Sequence, residues 1–510
     1  MANPPFAHQL RLWREEREAR GRCTFWEQGT GKTKFVIDQI MWLRMHGLLD
    51  GVIVVAPNGV HRNFIVEEWR KHWVPAAGRC DCLWFQATKA GSLRYQEEVD
   101  RLLASDFPVF AMSYDSLLQD DRKHSSGREL PGGRTIAGTL LRSRRIMMVF
   151  DEAGRVKNPS AKRTRLALKA AQLAAYVRVL NGTPVSNSPF DVYTQVMLAD
   201  PDFWKRRGIN SHDGFCTQYG QWSTGYAPSP HGARKFPKLD SYRNLDDLQK
   251  ALSEIGSRVL KEDVLDLPPK LYTRRVFDLS PAQRRIYEQL RQDSIAWLDG
   301  TEGSGSKVSA TLAIVRMGRL QQITCGYVPV DGEEPSDPVD IDPENPRIAL
   351  LLELAEDIPH KAIVWARYRA DIDRIMAAFE KAGLSAVRYD GSCDDEQRGE
   401  AIERFQRGDA RFFVANPAAA ATGLTLHAAR TVIYYSNSFS LDQRLQSEDR
   451  AHRIGQEHPV NYIDIVAAET VDEHVQRVLR SKIDVAGVVT GDSLREWLEY
   501  GAVDRPASED

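Results

Sequence analysis

The chain has 510 residues, 42% hydrophobic and 27% charged, with a formal net charge of −2. That length suits about three domains at roughly 150 residues each, and the composition is that of a globular protein able to bury a sizeable core. No run reaches the ~18 apolar residues of a membrane helix, and the opening stretch MANPPFAHQLRLWREE lacks the apolar centre of a secretion signal, so a cytoplasmic location is expected.

The first region, 1–199, opens with CTFWE, GTGKT (29–33) and KFVIDQIMWLRM. Strand, glycine loop and helix in that order are the context of a phosphate loop. Backbone N–H groups at the helix start point at phosphate oxygens, aided by the helix dipole. Lys32 is then placed to reach the β- and γ-phosphates, and Thr33 to hold Mg²⁺. The bland alternative is a tight turn before a helix. The full phosphate-loop pattern also asks for a glycine six residues before the lysine, where this chain has Trp26.

Four apolar runs follow: GVIVVAP (51–57), FPVFAMSY (107–114), IMMVFDE (146–152) and RVLNGTP (178–184). Each reads as a buried parallel strand, because near-continuous apolar runs are expected where helices cover both sheet faces. Asp151 and Glu152 end one of them. A strand-terminal Asp-Glu paired with a Lys-Thr phosphate loop points to NTP hydrolysis, with Asp151 on the metal and Glu152 polarising the attacking water.

Residues 200–345 change character, being richer in Trp, Tyr, Gly and Pro before the helical PAQRRIYEQLRQDSIAWL (281–298). The acidic, Pro-rich stretch 330–346 reads as a loop or linker. A mainly helical insertion and linker is expected here. The aromatic stretch FCTQYGQWSTGY (215–226) is the one candidate for a strand-separating pin, and reads equally as core or loop packing.

The region 346–485 alternates again, with strands at KAIVWA (361–366), AVRYDG (386–391), RFFVAN (411–416) and TVIYYS (431–436), and helix-period segments between them. Two doubly wound α/β lobes are implied. Within QSEDRAHRIGQ (446–456), Gln446, Arg450 and Arg453 are spaced to share a helix face. The arginines suit neutralisation of γ-phosphate charge in the transition state. The alternative is a surface helix laced with ion pairs through Glu448 and Asp449. Residues 486–510 are expected to be a C-terminal helix and tail.

Six cysteines, at 23, 80, 82, 216, 325 and 393, read as reduced; the one-residue gap between Cys80 and Cys82 is a poor zinc spacing. The basic clusters at 140–145, 162–169 and 204–208 read, from charge alone, as solvated helix faces.

Taken together, HQLRLW, EQGTGKT, VVAPNGVHRNFIVEEW, FAMSYDSL, DEAGRVKN, NGTPVSNSPFDVY, DGSCDDEQRGEAIERFQ, ATGLTLHAARTVIYYSNSFS and QSEDRAHRIGQ closely resemble the Swi/Snf-type branch of the superfamily-two helicase-like ATPases, from about residue 5 to 480. The compact length resembles the short versions of bacteria and phages. The resemblance implies two RecA-like lobes, ATP and Mg²⁺ as cofactors, and double-stranded DNA as partner, with a monomer expected. It assigns Gln9 to adenine, and Glu27, Gly29, Thr30, Gly31, Lys32, Thr33, Gly423 and Gln446 to the nucleotide site. It also assigns Pro57, Asn58, Ser113, Tyr114, Arg367 and Thr422 to DNA backbone contacts, although each taken alone reads as a strand-end cap. In this family the position of Trp26 is usually acidic, so the first glycine is not required.

The chain departs from the family pattern in two further places. Gly154 replaces the usual His of DEAH, and Phe439-Ser440-Leu441 replaces Trp-Asn-Pro, while Thr183 keeps its motif. Three functions stay open on the residues: an ATP-driven duplex translocase, a strand-separating helicase, and a nucleotide-gated DNA-binding scaffold.

Overall fold

The computed structural model describes residues 4–123, 125, 127, 129–227, 234–300, 307–329, 338–419 and 424–492. These form two compact units, one of residues 4–220, 242–266 and 485–492, the other of 221–241 and 267–484.

The first unit holds a seven-stranded, wholly parallel sheet. Its strands are β1 (Gly21–Trp26), β2 (Gly51–Ala56), β3 (Asp81–Trp84), β4 (Pro108–Ser113), β5 (Ile146–Asp151), β6 (Tyr176–Leu180) and β7 (Gly256–Val259), in the order β7-β1-β6-β5-β2-β4-β3. Every residue of β2 and β4 is buried, as apolar runs without polar alternation require. Alternate side chains feed two cores. Ile53 and Val55 pack on one face with helices Leu93–Ala104 and Gly133–Ser143. Val52 and Val54 pack on the other with Phe35, Val36, Ile37 and Ile40 of helix α2 (Lys32–Met45).

The second unit repeats the plan with six parallel strands. They are β8 (Lys270–Phe277), β9 (Ala362–Trp365), β10 (Ala386–Tyr389), β11 (Phe412–Ala415), β12 (Thr431–Tyr434) and β13 (Val460–Ala467), in the order β8-β13-β12-β9-β11-β10. Ala362 and Val364 enter one core, and Ile363 and Trp365 the other. Both units are therefore doubly wound α/β lobes, the RecA-like architecture expected.

The nine anticipated strands, CTFWE among them, are all present. The segment 200–345 differs from a purely helical insertion, because it supplies the edge strand of each sheet, β7 and β8. β7 is only four residues, Gly-Ser-Arg-Val, and β8 is half-exposed with alternating polar residues, so neither carries the apolar run that marks a central strand. The segment also gives helices His212–Tyr219 and Leu245–Ile255 to the first core through Phe215, Tyr219 and Leu248, and the helices Pro281–Gly300 and Lys307–Thr324 to the second unit. The aromatic stretch 215–226 is split: Phe215 and Tyr219 are core, whereas Trp222 and Tyr226 stand exposed on a two-stranded ribbon, Gly220–Ala227 with Arg234–Tyr242.

No helix among the described residues is long and apolar enough to cross a membrane. All six cysteines are free thiols.

Candidate nucleotide site

Because the first sheet is wholly parallel, the C-terminal ends of its strands share one edge, where α/β sheets bind ligands. β1, β5 and β6 lie side by side there. The residues that follow them form the site.

After β1 the chain turns through Gly29 (φ 83°) and Gly31 (φ 87°) into α2. A Cβ on Gly31 would stand 2.2 Å from Gln9 Nε2, so a side chain there would displace the Gln9 amide. Thr30 Oγ1 donates to Glu27 O at 2.7 Å, closing the loop on itself. The Lys32 ammonium donates to Trp26 O (2.8 Å) and Glu27 O (3.1 Å) and is 8% exposed. The N-terminal helix α1 (Ala7–Glu16) braces this loop from outside. His8 Nε2 lies 3.1 Å from Thr30 O, and Gln9 Nε2 donates to Gly31 O at 3.0 Å while Gln9 Oε1 accepts from Phe6 N at 2.9 Å. Burial lowers the His8 pKa, so the neutral ring donates to that carbonyl. Gln9, expected to read adenine, is thus fixed at both ends of its amide, to the loop through Nε2 and to the start of its own helix through Oε1. Glu27 is held from β7, its N–H donating to Val259 O at 2.9 Å and its Oε2 accepting from Lys261 N at 2.8 Å.

β5 delivers the carboxylates. Burial raises the Asp151 pKa, and the positive charge of Lys32 opposes the rise. Asp151 keeps some accessible surface, yet its carboxyl is enclosed by protein. Its Oδ1 accepts from Glu152 N at 3.1 Å, and its main-chain oxygen accepts from Tyr114 OH at 2.8 Å. Glu152 adopts a left-handed conformation, φ 51° and ψ 53°, uncommon for a side chain of that length and a strained arrangement found at functional turns. Gln28 Nε2 donates to Glu152 Oε1 at 3.2 Å.

β6 adds the third wall. A Cβ on Gly182 would stand 3.1 Å from Gln28 Cγ and 3.5 Å from Lys32 Nζ. Asn181 Nδ2 donates to Gln195 Oε1 (2.7 Å), and its Oδ1 accepts from Thr183 N (3.1 Å). A Cβ on Gly154 would come within 3.3 Å of Asn181 Nδ2, so the position lacking the family's histidine faces Asn181. The structure therefore brings Lys32, Thr33, Asp151 and Glu152 to one sheet edge, with Gln28, Asn181, Gly182 and Lys261 beside them. Gln28 lies inside EQGTGKT, and Asn181 and Gly182 inside NGTPVSNSPFDVY, yet sequence alone assigns these three no role, and Lys261 carries no site signal.

In the second unit the expected shared helix face is not formed. Helix α3 (Leu441–Glu448) carries Gln446, whose Nε2 donates to Asp442 Oδ1 at 3.0 Å, and ends before Arg450 and Arg453. The last turn tightens into i→i+3 bonds, Arg450 N to Ser447 O and Ala451 N to Glu448 O. The two arginines still converge, donating to Leu424 O at 3.4 and 3.0 Å. The surface-helix alternative fails as well. Glu448 is 0% exposed and accepts from Arg444 (2.9 Å), Lys270 (3.0 Å) and Tyr272 OH (2.9 Å).

Of the residues assigned to DNA, Asn58 is exposed after β2. Pro57 O accepts from Val60 N at 3.1 Å. Ser113 caps the following turn by accepting from Ser116 N at 3.3 Å. Tyr114 requires correction. It is 2% exposed and spends its hydroxyl on Asp151 O, because an apolar ring after a buried strand packs inward, leaving no surface for a backbone contact. Arg367 Nη1 donates to Gln321 Oε1 at 2.7 Å. Thr422 and Gly423 lie outside the described residues.

Residues 9–326 match the SNF2-related domain, and residues 346–455 match the helicase conserved C-terminal domain. Among curated proteins the chain is similar to "ATP-dependent helicase brm" of Drosophila melanogaster, with 23% identity over 90% of this chain and 27% of that protein. It is also similar to a "SWI/SNF-related matrix-associated actin-dependent regulator of chromatin subfamily A-like protein 1 homolog" of Caenorhabditis elegans, with 26% identity over 67% of this chain and 45% of that protein. The chain thus spans between about a quarter and a half of the length of these relatives. Among solved structures, "Sulfolobus solfataricus SWI2/SNF2 ATPase core in complex with dsDNA" is similar at 20% identity and a TM-score of 0.39, covering 96% of this chain and 94% of that one. The SNF2-related match alone covers more than half of the 510 residues, and the chain belongs to the SNF2-related family.

Proposed function

We propose that the protein is a DNA-dependent ATPase that hydrolyses ATP to ADP and phosphate in order to move along double-stranded DNA. The observation that carries the reading is the convergence of the Lys32 loop with Asp151 and Glu152 at one sheet edge. The glycine loop and the start of α2 offer backbone N–H groups to phosphate. Lys32 leaves the carbonyls of Trp26 and Glu27 for the β- and γ-phosphates. Glu152, half-buried and held by Gln28, orients a water and takes its proton.

Thr33 and Asp151 fit Mg²⁺. An enclosed carboxylate disfavoured by burial gains from a cation, and this hard ion needs only one or two protein oxygens besides substrate phosphates. When bound, Mg²⁺ would neutralise phosphate charge. We assign Arg450 and Arg453 to transition-state charge, Gln9 to the adenine side, and Pro57, Asn58, Ser113, Arg367 and Thr422 to sequence-tolerant backbone contacts.

The test is ATP turnover with and without duplex DNA. Lys32→Ala and Glu152→Gln are expected to abolish it, the second while retaining ATP binding. Normal turnover in Glu152→Gln would remove the assigned base. A duplex translocase displaces the third strand of a triplex and unwinds a forked duplex poorly; fork unwinding without triplex displacement would favour the strand-separating helicase.

A further inference from the structure

The ribbon Gly220–Ala227 with Arg234–Tyr242 takes no part in the nucleotide site. It is exposed along nearly its whole length, and a two-stranded ribbon without a packing surface is marginal in water. Yet it displays three large rings, with Trp222 40%, Tyr226 63% and Phe236 41% exposed. Strand alternation sorts its side chains. Trp222 and Tyr226 share one face, and Lys235 Nζ lies 5.9 Å from the Tyr226 ring centre on it. A Cβ on Gly225 would meet Phe236 Cζ at 2.6 Å, so Phe236, and Lys238 two residues on, belong to the opposite face. Each face thus carries both ring and cation. Lys235 and Lys238 stand against one carboxylate, Asp240, which accepts from Ser223 Oγ at 2.9 Å.

We propose that this ribbon is a duplex-DNA contact that enters the major groove, with its lysines on the flanking phosphates and its rings against base-edge methyls and sugars. The proposal rests on the DNA-dependent reading above. A two-stranded ribbon has the width the major groove admits. Cations on both faces suit a groove with phosphates on both walls, whereas a flat protein partner would occupy one face. Rings used to split a fork would stack on unpaired bases and favour single strands.

The root of the ribbon permits a clean test. Arg243 N donates to Tyr219 O at 3.0 Å and Asn244 Nδ2 to Gln218 O at 2.8 Å, so the chain is already closed beneath it. Residues 221–241 are replaced by two glycines in the full chain, and duplex, forked and single-stranded DNA affinities are measured over a salt series, with melting temperature and DNA-free ATPase as controls. Melting temperature and basal turnover are expected to stay unchanged, and duplex affinity to fall at least tenfold. Lys235→Ala with Lys238→Ala should lower the slope of log affinity against log salt by about 1.8, at ~0.9 per phosphate contact. Trp222→Ala with Tyr226→Ala should weaken duplex binding while leaving that slope intact. Equal duplex affinity in the parent and the deletion overturns the proposal and leaves the DNA reading standing. A loss confined to single-stranded or forked DNA overturns it in favour of a pin. A parent chain without duplex affinity removes the DNA reading, and this proposal with it.

Discussion

Gln28 holds Glu152: its Nε2 donates to Glu152 Oε1 at 3.2 Å, across a loop where Gly182 leaves room for the Gln28 stem. Glu152 sits in a left-handed backbone, so its carboxylate depends on such a contact for orientation. Gln28→Ala is expected to lower kcat by about ten- to a hundredfold, the worth of one hydrogen bond to a charged group at ~1.5–3 kcal/mol, with little change in the KM for ATP. Gln28→Glu places like charges together and should cost more and shift the acid limb of the pH profile upward. Unchanged kcat in both variants would reduce Gln28 to a spacer.

Asp151 gives a prediction in pH. Its pKa is raised by burial in the folded protein. A carboxyl raised on folding costs stability fully above its folded pKa, and the cost vanishes below its ordinary value of ~3.9. Asp151→Asn should therefore raise the melting temperature near neutral pH, lose that gain below about pH 4, and abolish turnover. A variant less stable at neutral pH would show that the carboxylate is held by more than Lys32.

Arginines nine residues apart should separate stability from rate. Arg444 is buried, paired with Glu448 at 2.9 Å and with Asp464 at 2.5 Å. Arg444→Ala removes the cation from Asp464, leaving it to Asn437 Nδ2, and leaves Glu448 to Lys270 and Tyr272; it should destabilise the second unit by about 3 kcal/mol, read by denaturant unfolding. Arg453→Ala loses a bond to Leu424 O. It should leave the melting temperature within a degree or two and lower turnover by ~10³-fold or more if the residue neutralises transition-state charge. Loss of DNA binding with intact basal turnover would assign it to DNA.

Most central strands of both sheets were legible because burial on both faces demands unbroken apolar runs: 51–56, 108–113, 146–151, 362–365 and 431–434 announce themselves, whereas β13, with Asn461 and Asp464 in its run, was not read. Three of the four edge strands, β3, β7 and β8, were not, whereas β10 was read from 386–391. Gly256–Val259 pairs on one side only and tolerates Ser257 and Arg258. The phosphate loop and the Asp-Glu pair were legible because their chemistry fixes residue type and spacing. The arginine segment was legible in composition and illegible in shape. Helical spacing from Gln446 to Arg453 ignores the tightened turn after Glu448, and the buried partners of Glu448 come from Lys270 and Tyr272, far along the chain. Gln28 and Asn181 act through contacts that appear only when β1, β5 and β6 are laid side by side.

The most direct test of the central claim is the steady-state ATPase rate of the full chain at increasing concentrations of blunt duplex DNA, beside single-stranded DNA of the same length and the Glu152→Gln variant. The account predicts a rate that rises and saturates with duplex, responds weakly to single strands, and is absent in Glu152→Gln. A rate indifferent to duplex, or equal in Glu152→Gln, would contradict it.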